Sequence, residues 1–400
     1  MITRYAGIAL TFSAMFLVVM AVLVNSPMLF YMATAIIVTL AAAKLQAYLA
    51  VRYLKFERFA SPAVRVGETV TVEVVVWSER ELKRPLVTVR DEIPKRLVRI
   101  QETPSLPVAP SFDQPIKTRY SFRPMRRGRY RWERLSVIAT DALGLVVSEK
   151  TYHTDPVELV VYPNPLPINQ ELSPLMGWGA SDLDSGKVQG AGLEPRGVRQ
   201  YVAGDPLRYI HWKSSAKRGD SKLMVKEFET GSGVTVNFIL QRTRDTDIGD
   251  ENFSTFEAMC SHALFLATDL IEKGAMVRFG QIEPAGMSFQ HPEIRLREVR
   301  ELLTDMIPEE QATLASEVNQ YQRETREGET VVLFVAVQDP MLPEAIIGWH
   351  GVRVVVMAYD ACEYNAKSTA KPASDPLYLA RLEQAGAHTI HLPRQERISQ

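Results

Sequence analysis

Cysteine is nearly absent from the sequence: Cys260 and Cys362 are the only two among 400 residues, and both lie in apolar stretches of the last third. Two isolated thiols cannot build a disulfide framework or a thiolate metal site. Isolated cysteines of this kind are usually buried structural thiols in a reducing compartment. We therefore expect the folded part of the chain to lie in the cytoplasm.

The sequence also lacks an excess of charge of either sign and a phosphate-binding loop. It carries 46 Lys and Arg against 47 Asp and Glu, so nothing draws the chain as a whole to nucleic acid. The glycines between residues 177 and 197 form neither a Gly-Lys-Ser/Thr loop after a strand nor a G-x-G-x-x-G turn before a helix. We predict no cofactor and no nucleic-acid partner.

Charged side chains are missing altogether between residues 5 and 43. A helix that crosses a bilayer needs about 20 apolar residues, and this run is about twice as long. Asn25, Ser26 and Pro27 interrupt it with a turn signature. The pattern predicts a transmembrane helical hairpin within residues 1–58. A secretory signal peptide is too short to explain the run, and a buried hairpin in a soluble core is the remaining alternative.

Positive charge flanks this hairpin on both sides, whereas its turn carries none. By the positive-inside tendency, both ends of the hairpin lie on the cytoplasmic side, with everything after residue 58. The lipid bilayer is therefore one predicted partner. The flanking cations are Arg4 before the first helix and Lys44, Arg52, Lys55 and Arg58 at or beyond the end of the second.

Residues 59–165 change to a period of two, which predicts a β-rich domain. Short strands rich in β-branched residues, separated by prolines, favour an antiparallel sandwich of immunoglobulin-like size. Arg127, Arg129 and Arg131 would share one face of a strand. We interpret them as a solvated ladder, with a contact to anionic lipid as the alternative. The predicted strands are 69–77, 86–91, 116–122, 129–139 and 157–162.

Residues 166–233 combine a glycine-rich linker with the most distinctive segment of the chain. The segment, which we call the signature segment, reads Arg196-Gly-Val-Arg-Gln-Tyr-Val-Ala-Gly-Asp-Pro-Leu-Arg-Tyr-Ile-His-Trp-Lys-Ser-Ser-Ala-Lys-Arg-Gly219, followed by Leu223-Met-Val-Lys-Glu-Phe-Glu229. It resembles the defining motif of the bacterial "domain of unknown function 58" family. Arg126-Arg-Gly-Arg-Tyr-Arg and Asp141-Ala-Leu-Gly-Leu145 resemble the region that usually precedes that motif.

The resemblance implies two N-terminal membrane helices in the bacterial inner membrane and a C-terminal part similar to von Willebrand factor A domains. Family members often accompany MoxR-type AAA+ ATPases and transglutaminase-like membrane proteins. The family has no settled biochemical activity. The resemblance therefore implies a partner role rather than catalysis, with a MoxR-type AAA+ ATPase as the expected partner.

The signature segment mixes a rigid Gly204-Asp205-Pro206 turn with an aromatic anchor and charged donors. Such a mixture is typical of interface hot spots, and an internal salt-bridge network is the alternative. A catalytic role for His211 is a further alternative, but no Ser or Cys nucleophile with an orienting carboxylate is visible beside it. The residues that we predict to bind a partner are Arg199, Asp205, Arg208, His211, Trp212 and Lys213.

Residues 234–400 alternate strand and helix patterns, which predicts a doubly wound, von Willebrand A-like α/β domain. A capping box, Ser254 with Glu257, begins the first predicted helix, and further helical patterns lie near 295–306, 309–326 and 375–385. In A domains the first strand ends in Asp-x-Ser-x-Ser, whose oxygens hold Mg²⁺ or a similar ion. Here Gln241 replaces the leading Asp, and Arg242 and Arg244 bring positive charge. We predict a degenerate site at Gln241, Thr243 and Asp245 that binds no metal, with Asp339 as a further oxygen donor.

The sequence therefore predicts a multidomain membrane protein with a transmembrane α-hairpin, a β-sandwich-like domain and an α/β domain. The leading hypothesis is a membrane-anchored cytoplasmic scaffold, not an enzyme. Metal-dependent ligand binding by the A-like domain is the second hypothesis, and a metal titration followed by thermal unfolding separates the two. A hydrolase centred on His211 and Asp205 is the third.

Overall fold

The computed structural model describes residues 2–82, 84, 86–97, 104–112, 114–169, 195–200, 213, 215, 223–228, 235–250, 253–280, 291–309, 313–325 and 327–395. For residues 2–6, 195–200 and 225–228 it describes the backbone alone. The chain divides into two compact units, Met1–Val161 and Tyr162–Gln400. The boundaries predicted at 58, 165 and 233 stay predictions.

The first unit begins with the predicted pair of helices, α1 (Ile2–Leu23) and α2 (Pro27–Ala50). Asn25 adopts a left-handed backbone conformation in the turn, and Pro27 begins α2, where its missing N–H costs nothing. Small residues let the two helices approach closely, since Ala14, Ala21 and Ala33 are buried. Within the part of the hairpin whose side chains the structure describes, α2 is the helix long and apolar enough to cross a membrane, and α1 contains the shorter apolar stretch Gly7–Leu23.

Two antiparallel sheets follow, as the period of two predicts. One has the strand order β1-β3-β6 and the other β2-β8-β7-β4-β5. Valines at every second position of β3 are fully buried and pack with valines of β4 and β7 in one core. The strands are β1 (Leu54–Phe59), β2 (Ala63–Arg65), β3 (Val70–Ser78), β4 (Val87–Asp91), β5 (Ser105–Val108), β6 (Ile116–Phe122), β7 (Gly128–Thr140) and β8 (Val147–Tyr162).

The prediction differs from the structure at β8 and at the arginine ladder. The strand β8 begins ten residues earlier than expected, because the polar stretch 147–156 pairs with β7 in a long hairpin. Arg129 and Arg131 are exposed, as the solvated ladder requires, but Arg127 is buried. It precedes the strand at Gly128, whose positive φ breaks the alternation of faces.

A buried ion pair joins the two sheets of the sandwich. The Arg58 guanidinium on β1 donates to an Asp91 carboxylate oxygen on β4 at 2.7 Å, and both side chains are 0 % exposed. Tyr120 on β6 donates its hydroxyl to the other Asp91 oxygen at 2.6 Å. Burial, and then the negative charge of Asp91, raise the pKa of Tyr120 well above its usual range. Both Asp91 oxygens are thus satisfied inside the core.

The carboxyl end of α2 is tied to the sandwich by two side chains. Arg84 donates to the backbone carbonyls of Ala50 and Arg52 and, at 2.7 Å, to the Ser78 hydroxyl. The Tyr152 hydroxyl donates to the Val51 carbonyl at 2.7 Å. The last carbonyls of a helix have no partner within it, and a cation there is favourable. Because α2 has no basic residue in its last turn, the sandwich supplies one.

The second unit contains the predicted α/β sheet. Five parallel strands have the order β12-β11-β13-β14-β15, with hydrophobic cores on both faces. Every residue of β13 is buried, which is typical of an inner parallel strand. A short antiparallel ribbon, β9 (Pro195–Gln200) with β10 (Met224–Phe228), precedes this sheet. The sheet strands are β11 (Thr235–Leu240), β12 (Met276–Arg278), β13 (Thr330–Val335), β14 (Arg353–Tyr359) and β15 (Ala387–Leu392).

Helices connect these strands and cover the sheet. The predicted Ser254 cap begins α3, where its hydroxyl accepts from the Glu257 backbone N–H. Two short helices, α6 and α7, are absent from the prediction because they are too short to show a period. The helices are α3 (Thr255–Glu272), α4 (Pro292–Asp305), α5 (Leu314–Tyr321), α6 (Leu342–Ile347), α7 (Ala361–Tyr364) and α8 (Pro376–Gln384).

The buried ion pair predicts a large effect of removing one partner. We expect Asp91→Ala to lower the free energy of unfolding by roughly 3–5 kcal/mol, because it leaves the Arg58 charge buried without its carboxylate. Urea unfolding of the full chain in detergent micelles measures the change. Glu158→Ala, which removes the exposed partner of Arg131, is the matched control and should change little. Equal effects of the two substitutions would contradict the assignment.

Candidate functional site

The candidate site lies at the carboxyl edge of the parallel sheet. The strand that follows β11 in the chain, β12, lies on one side of it, and β13 lies on the other. This switch in the order of the strands creates a crevice beyond the carboxyl ends of β11 and β13. Open α/β sheets bind their ligands at this kind of crevice. Gln241 and Arg242 follow β11 directly, and residues 336–339 follow β13.

Gln241 bridges this crevice with its side-chain amide. Its oxygen accepts from the backbone N–H of Ala336 at 2.9 Å and of Val337 at 3.0 Å. Its nitrogen donates to the Val337 carbonyl at 2.9 Å. The residue is 3 % exposed. The Gln241 side chain therefore links the ends of β11 and β13.

A small cavity lies beside Arg242. Its volume is about 10 Å³, and it is lined by Phe238, Arg242, Phe279, Glu317 and Tyr321 among others. A cavity needs roughly 10–15 Å³ to hold one water molecule. This cavity is therefore about large enough for a single water molecule.

Arg242 pairs with two carboxylates on the far side of the crevice. It donates to Glu309 at 2.8 Å and to Glu317 on α5 at 2.7 Å. The Arg242 and Glu317 side chains are nearly buried. Burial raises the pKa of Glu317, and the Arg242 charge opposes that rise. The pair fastens the segment after β11 to the helix that covers it.

Thr243 and Asp245, the other members of the predicted degenerate metal site, lie in the turn after Arg242. The Thr243 carbonyl accepts from the Thr246 hydroxyl at 2.6 Å, and Asp245 is exposed. Among the residues that the structure describes, no three His, Cys, Asp or Glu side chains form a group that could hold a metal ion. The absence of a metal stays a prediction.

Asp339 uses its carboxylate as a helix cap rather than as an open ligand. One oxygen accepts from the Ala315 backbone N–H in the first turn of α5 at 2.9 Å, and the other accepts from Met341 N–H at 3.1 Å. The Tyr378 hydroxyl donates to the Asp339 carbonyl at 2.9 Å. Burial raises the pKa of Tyr378 above its usual range. The expected oxygen donor is therefore engaged in holding local structure.

An open groove lies next to Asp339, between α6 and α8. We call it the α6–α8 groove; its volume is about 570 Å³. Ile347 at its rim is 61 % exposed, and Tyr378 closes its floor. Lys371, Arg381 and Glu344 supply its charges. The lining residues are Gln338, Pro340, Pro343, Glu344, Ile347, Lys371, Tyr378, Arg381, Gln384 and Ala385.

The signature segment is described only in part. The backbone of Arg199 lies in β9 opposite Val225, and Lys213 is exposed. The Ser215 hydroxyl accepts from Met224 N–H at 2.8 Å, which links the segment to β10. Asp205, Arg208, His211 and Trp212 lie outside the described residues, so their predicted partner role stays a prediction.

His262 is a buried titratable group that the sequence reasoning missed. Its Nδ1 lies 3.0 Å from the Tyr359 hydroxyl in the core between α3 and β14. Burial lowers the pKa of His262 to about 4, so it is neutral at pH 7. Its position amid a uniformly apolar helix face is the signal that could have identified it. It belongs to the core and not to the carboxyl edge.

The crevice geometry predicts that Gln241→Ala destabilises the fold. Three backbone groups of residues 336 and 337 lose their partner, and each buried polar group left unsatisfied costs roughly 1–3 kcal/mol. We expect a loss of at least about 3 kcal/mol in the free energy of unfolding of the full chain, measured by urea unfolding. Gln384→Ala, at an exposed glutamine of α8, is the control. A Gln241→Ala protein as stable as this control would show that the bridge is unimportant.

The match to a protein family lies in this second unit. Residues 197–363 match the model of the family described as "Protein of unknown function DUF58". No curated protein matches the chain. One similar solved structure is the CARDB domain of a Pyrococcus furiosus protein in complex with di-metal ions, with 19 % identity, 27 % of this chain and 91 % of that chain covered, and a TM-score of 0.19. At that score neither fold nor metal binding transfers. This match supports membership of the DUF58 family for residues 197–363.

Proposed function

We propose that the chain is a membrane-anchored, cytoplasm-facing interaction protein whose α/β unit docks a protein partner in the α6–α8 groove. The observation that carries this proposal is the groove itself, where the solvated Ile347 stands beside charged side chains at the carboxyl edge of the sheet. The proposal includes a multi-pass position in the bacterial inner membrane and an A-like relationship of the α/β unit, which its parallel sheet supports.

The membrane anchor is supported by the surface of the helical hairpin. Large apolar side chains of both helices face outward, which a soluble protein avoids over so wide a surface. The helix α2 is long enough to cross the hydrocarbon core. The most exposed of these side chains are Phe12, Met15, Phe16, Val22, Leu23, Met28 and Tyr31.

The orientation is supported by aromatic and cationic residues at one end of the hairpin. The Arg52 guanidinium lies 3.9 Å from the centre of the exposed Tyr48 ring, and Lys44 is exposed on α2. Tyrosine and basic residues collect at the membrane–water interface, and basic residues favour the cytoplasmic face. The sandwich follows this end of the chain, so it lies in the cytoplasm under this proposal.

The groove fits one kind of partner segment. Ile347 on α6 offers an apolar contact, while Lys371 and Arg381 outweigh Glu344 in charge. A segment with one large apolar anchor and acidic neighbours complements both features, since interfaces join an apolar centre to a polar rim. We propose the MoxR-type AAA+ ATPase, which the family resemblance implies as partner, as the protein that carries this segment.

The side chains at the carboxyl edge of the sheet are better suited to docking a partner than to catalysis. The amide of Gln241 and the carboxylate of Asp339 both hold backbone groups, and Arg242 holds two carboxylates. A catalytic side chain needs a donor or acceptor atom that is available to the substrate. These side chains instead make the edge rigid, which lowers the entropic cost of binding a partner.

The docking proposal predicts that Ile347→Asp weakens binding of a purified MoxR-type ATPase to the full chain in nanodiscs. We expect at least about a tenfold rise in Kd, because truncating an interface anchor typically costs 2 kcal/mol or more and about 1.4 kcal/mol is tenfold. Biolayer interferometry with immobilised nanodiscs measures the change.

Ile307→Asp is the matched control, because Ile307 is 66 % exposed in the same unit and lies outside the groove. Both substitutions are on the surface, so neither should shift the Tm appreciably. If both variants bind as tightly as the original chain, the partner docks elsewhere. If the original chain does not bind the ATPase at all, the proposed partner is wrong.

A further inference from the structure

The loop between β7 and β8 is held rigid by its own hydrogen bonds. The Asp141 carboxylate accepts from Leu143 N–H at 3.0 Å and from Val146 N–H at 2.6 Å. Gly144 closes the turn with a φ of 70°, and its N–H donates to the Asp141 carbonyl. The loop therefore holds its shape without help from the hydrophobic core.

This rigid loop presents apolar side chains to its surroundings. Leu143 at the tip is 64 % exposed, and Val147 at the start of β8 is also exposed. A single exposed leucine is common on protein surfaces and proves nothing alone. The position of this loop beside the helical hairpin is what distinguishes Leu143 from other exposed leucines.

The loop touches both helices at the same level of the hairpin. The Ala142 N–H donates to the Gln46 side chain on α2 at 3.2 Å. On α1, a Cβ added at Gly7 would lie 2.5 Å from the Leu145 carbonyl oxygen, so only glycine allows this close approach. The two contacts fix the loop beside the open end of the hairpin.

This level coincides with the expected edge of the hydrocarbon core. Gly7 and Gln46 each lie roughly 26–29 Å along the helices from the turn, at 1.5 Å per residue. The hydrocarbon core of a bilayer is about 30 Å thick. A hairpin that spans the bilayer from its turn therefore places the loop at the boundary between acyl chains and headgroups.

We propose that the loop 141–147 is a third membrane contact, with Leu143 inserted into the interfacial layer of the leaflet that faces the sandwich. This inference rests on the proposed membrane anchor. The occupant is the lipid surface, because the loop continues the apolar surface of the hairpin. Tyr48 with Arg52, and Tyr152 with Lys150 at 4.2 Å, pair rings with cations at the same end of the unit, as interfacial residues do.

The test uses an environment-sensitive fluorophore on a cysteine in the full chain, reconstituted in vesicles. Cys362, which is exposed, is first changed to serine, and Leu143→Cys is then labelled. Lipids with spin labels near the headgroup or deep in the acyl chains quench the probe according to its depth. Ser61→Cys is the control, because Ser61 is exposed between β1 and β2, at the end of the sandwich away from α2.

We expect the emission of the probe at Leu143 to be blue-shifted. The shallow spin label should quench it more strongly than the deep one, since interfacial segments lie roughly 5–10 Å below the headgroup boundary. The Ser61 probe should lose little to either. If the chain floats with the vesicles but both probes stay equally in water, the loop inference is wrong and the anchor stands. If the chain does not float with vesicles at all, both proposals are wrong.

Discussion

The arrangement of the first unit depends on the hydrogen bonds that the Arg84 guanidinium donates to the end of α2. The backbone carbonyls of residues 50–52 have no hydrogen-bond partner within the helix. Arg84 and Tyr152, both from the sandwich, donate to all three. Burial lowers the pKa of Arg84, yet a guanidinium keeps its charge at any physiological pH. A helix end held by three hydrogen bonds cannot swivel freely. The hairpin and the sandwich therefore form one piece, and the β7–β8 loop is held at a fixed level beside the helices.

In the second unit, the protein's own side chains occupy the crevice at the carboxyl edge of the parallel sheet. Gln241 and Asp339 each bond to backbone groups, and Arg242 joins the segment after β11 to Glu309 and Glu317. Polar groups engaged in this way stabilise one conformation of the edge. The open surface lies beside the crevice, in the α6–α8 groove. A rigid edge beside an open groove with apolar and charged side chains is the arrangement that the docking proposal requires.

Patterns local in sequence were predictable, and contacts between distant residues were not. The absence of charged side chains between residues 5 and 43 predicted the two helices. The alternating valines predicted β3, and Ser254 predicted the start of α3. The Arg58–Asp91 pair and the three hydrogen bonds of Gln241 join residues far apart in the chain. Such pairs leave no periodic trace, because any of many polar residues could supply the partner. Arg127 shows the same limit, since one glycine after it changed the face it occupies.

The proposed membrane anchor, with the sandwich in the cytoplasm, can be tested by finding the side of the membrane on which each end of the hairpin lies. Reporter domains can be inserted after Asn25 in the turn and fused after Ala60 beyond the second helix, in a bacterial cell. The account predicts that a reporter active only outside the cytoplasm works after Asn25 and fails after Ala60, and that a cytoplasmic reporter gives the opposite result. A periplasmic signal after Ala60 would place the sandwich and the groove outside the cytoplasm and contradict the account.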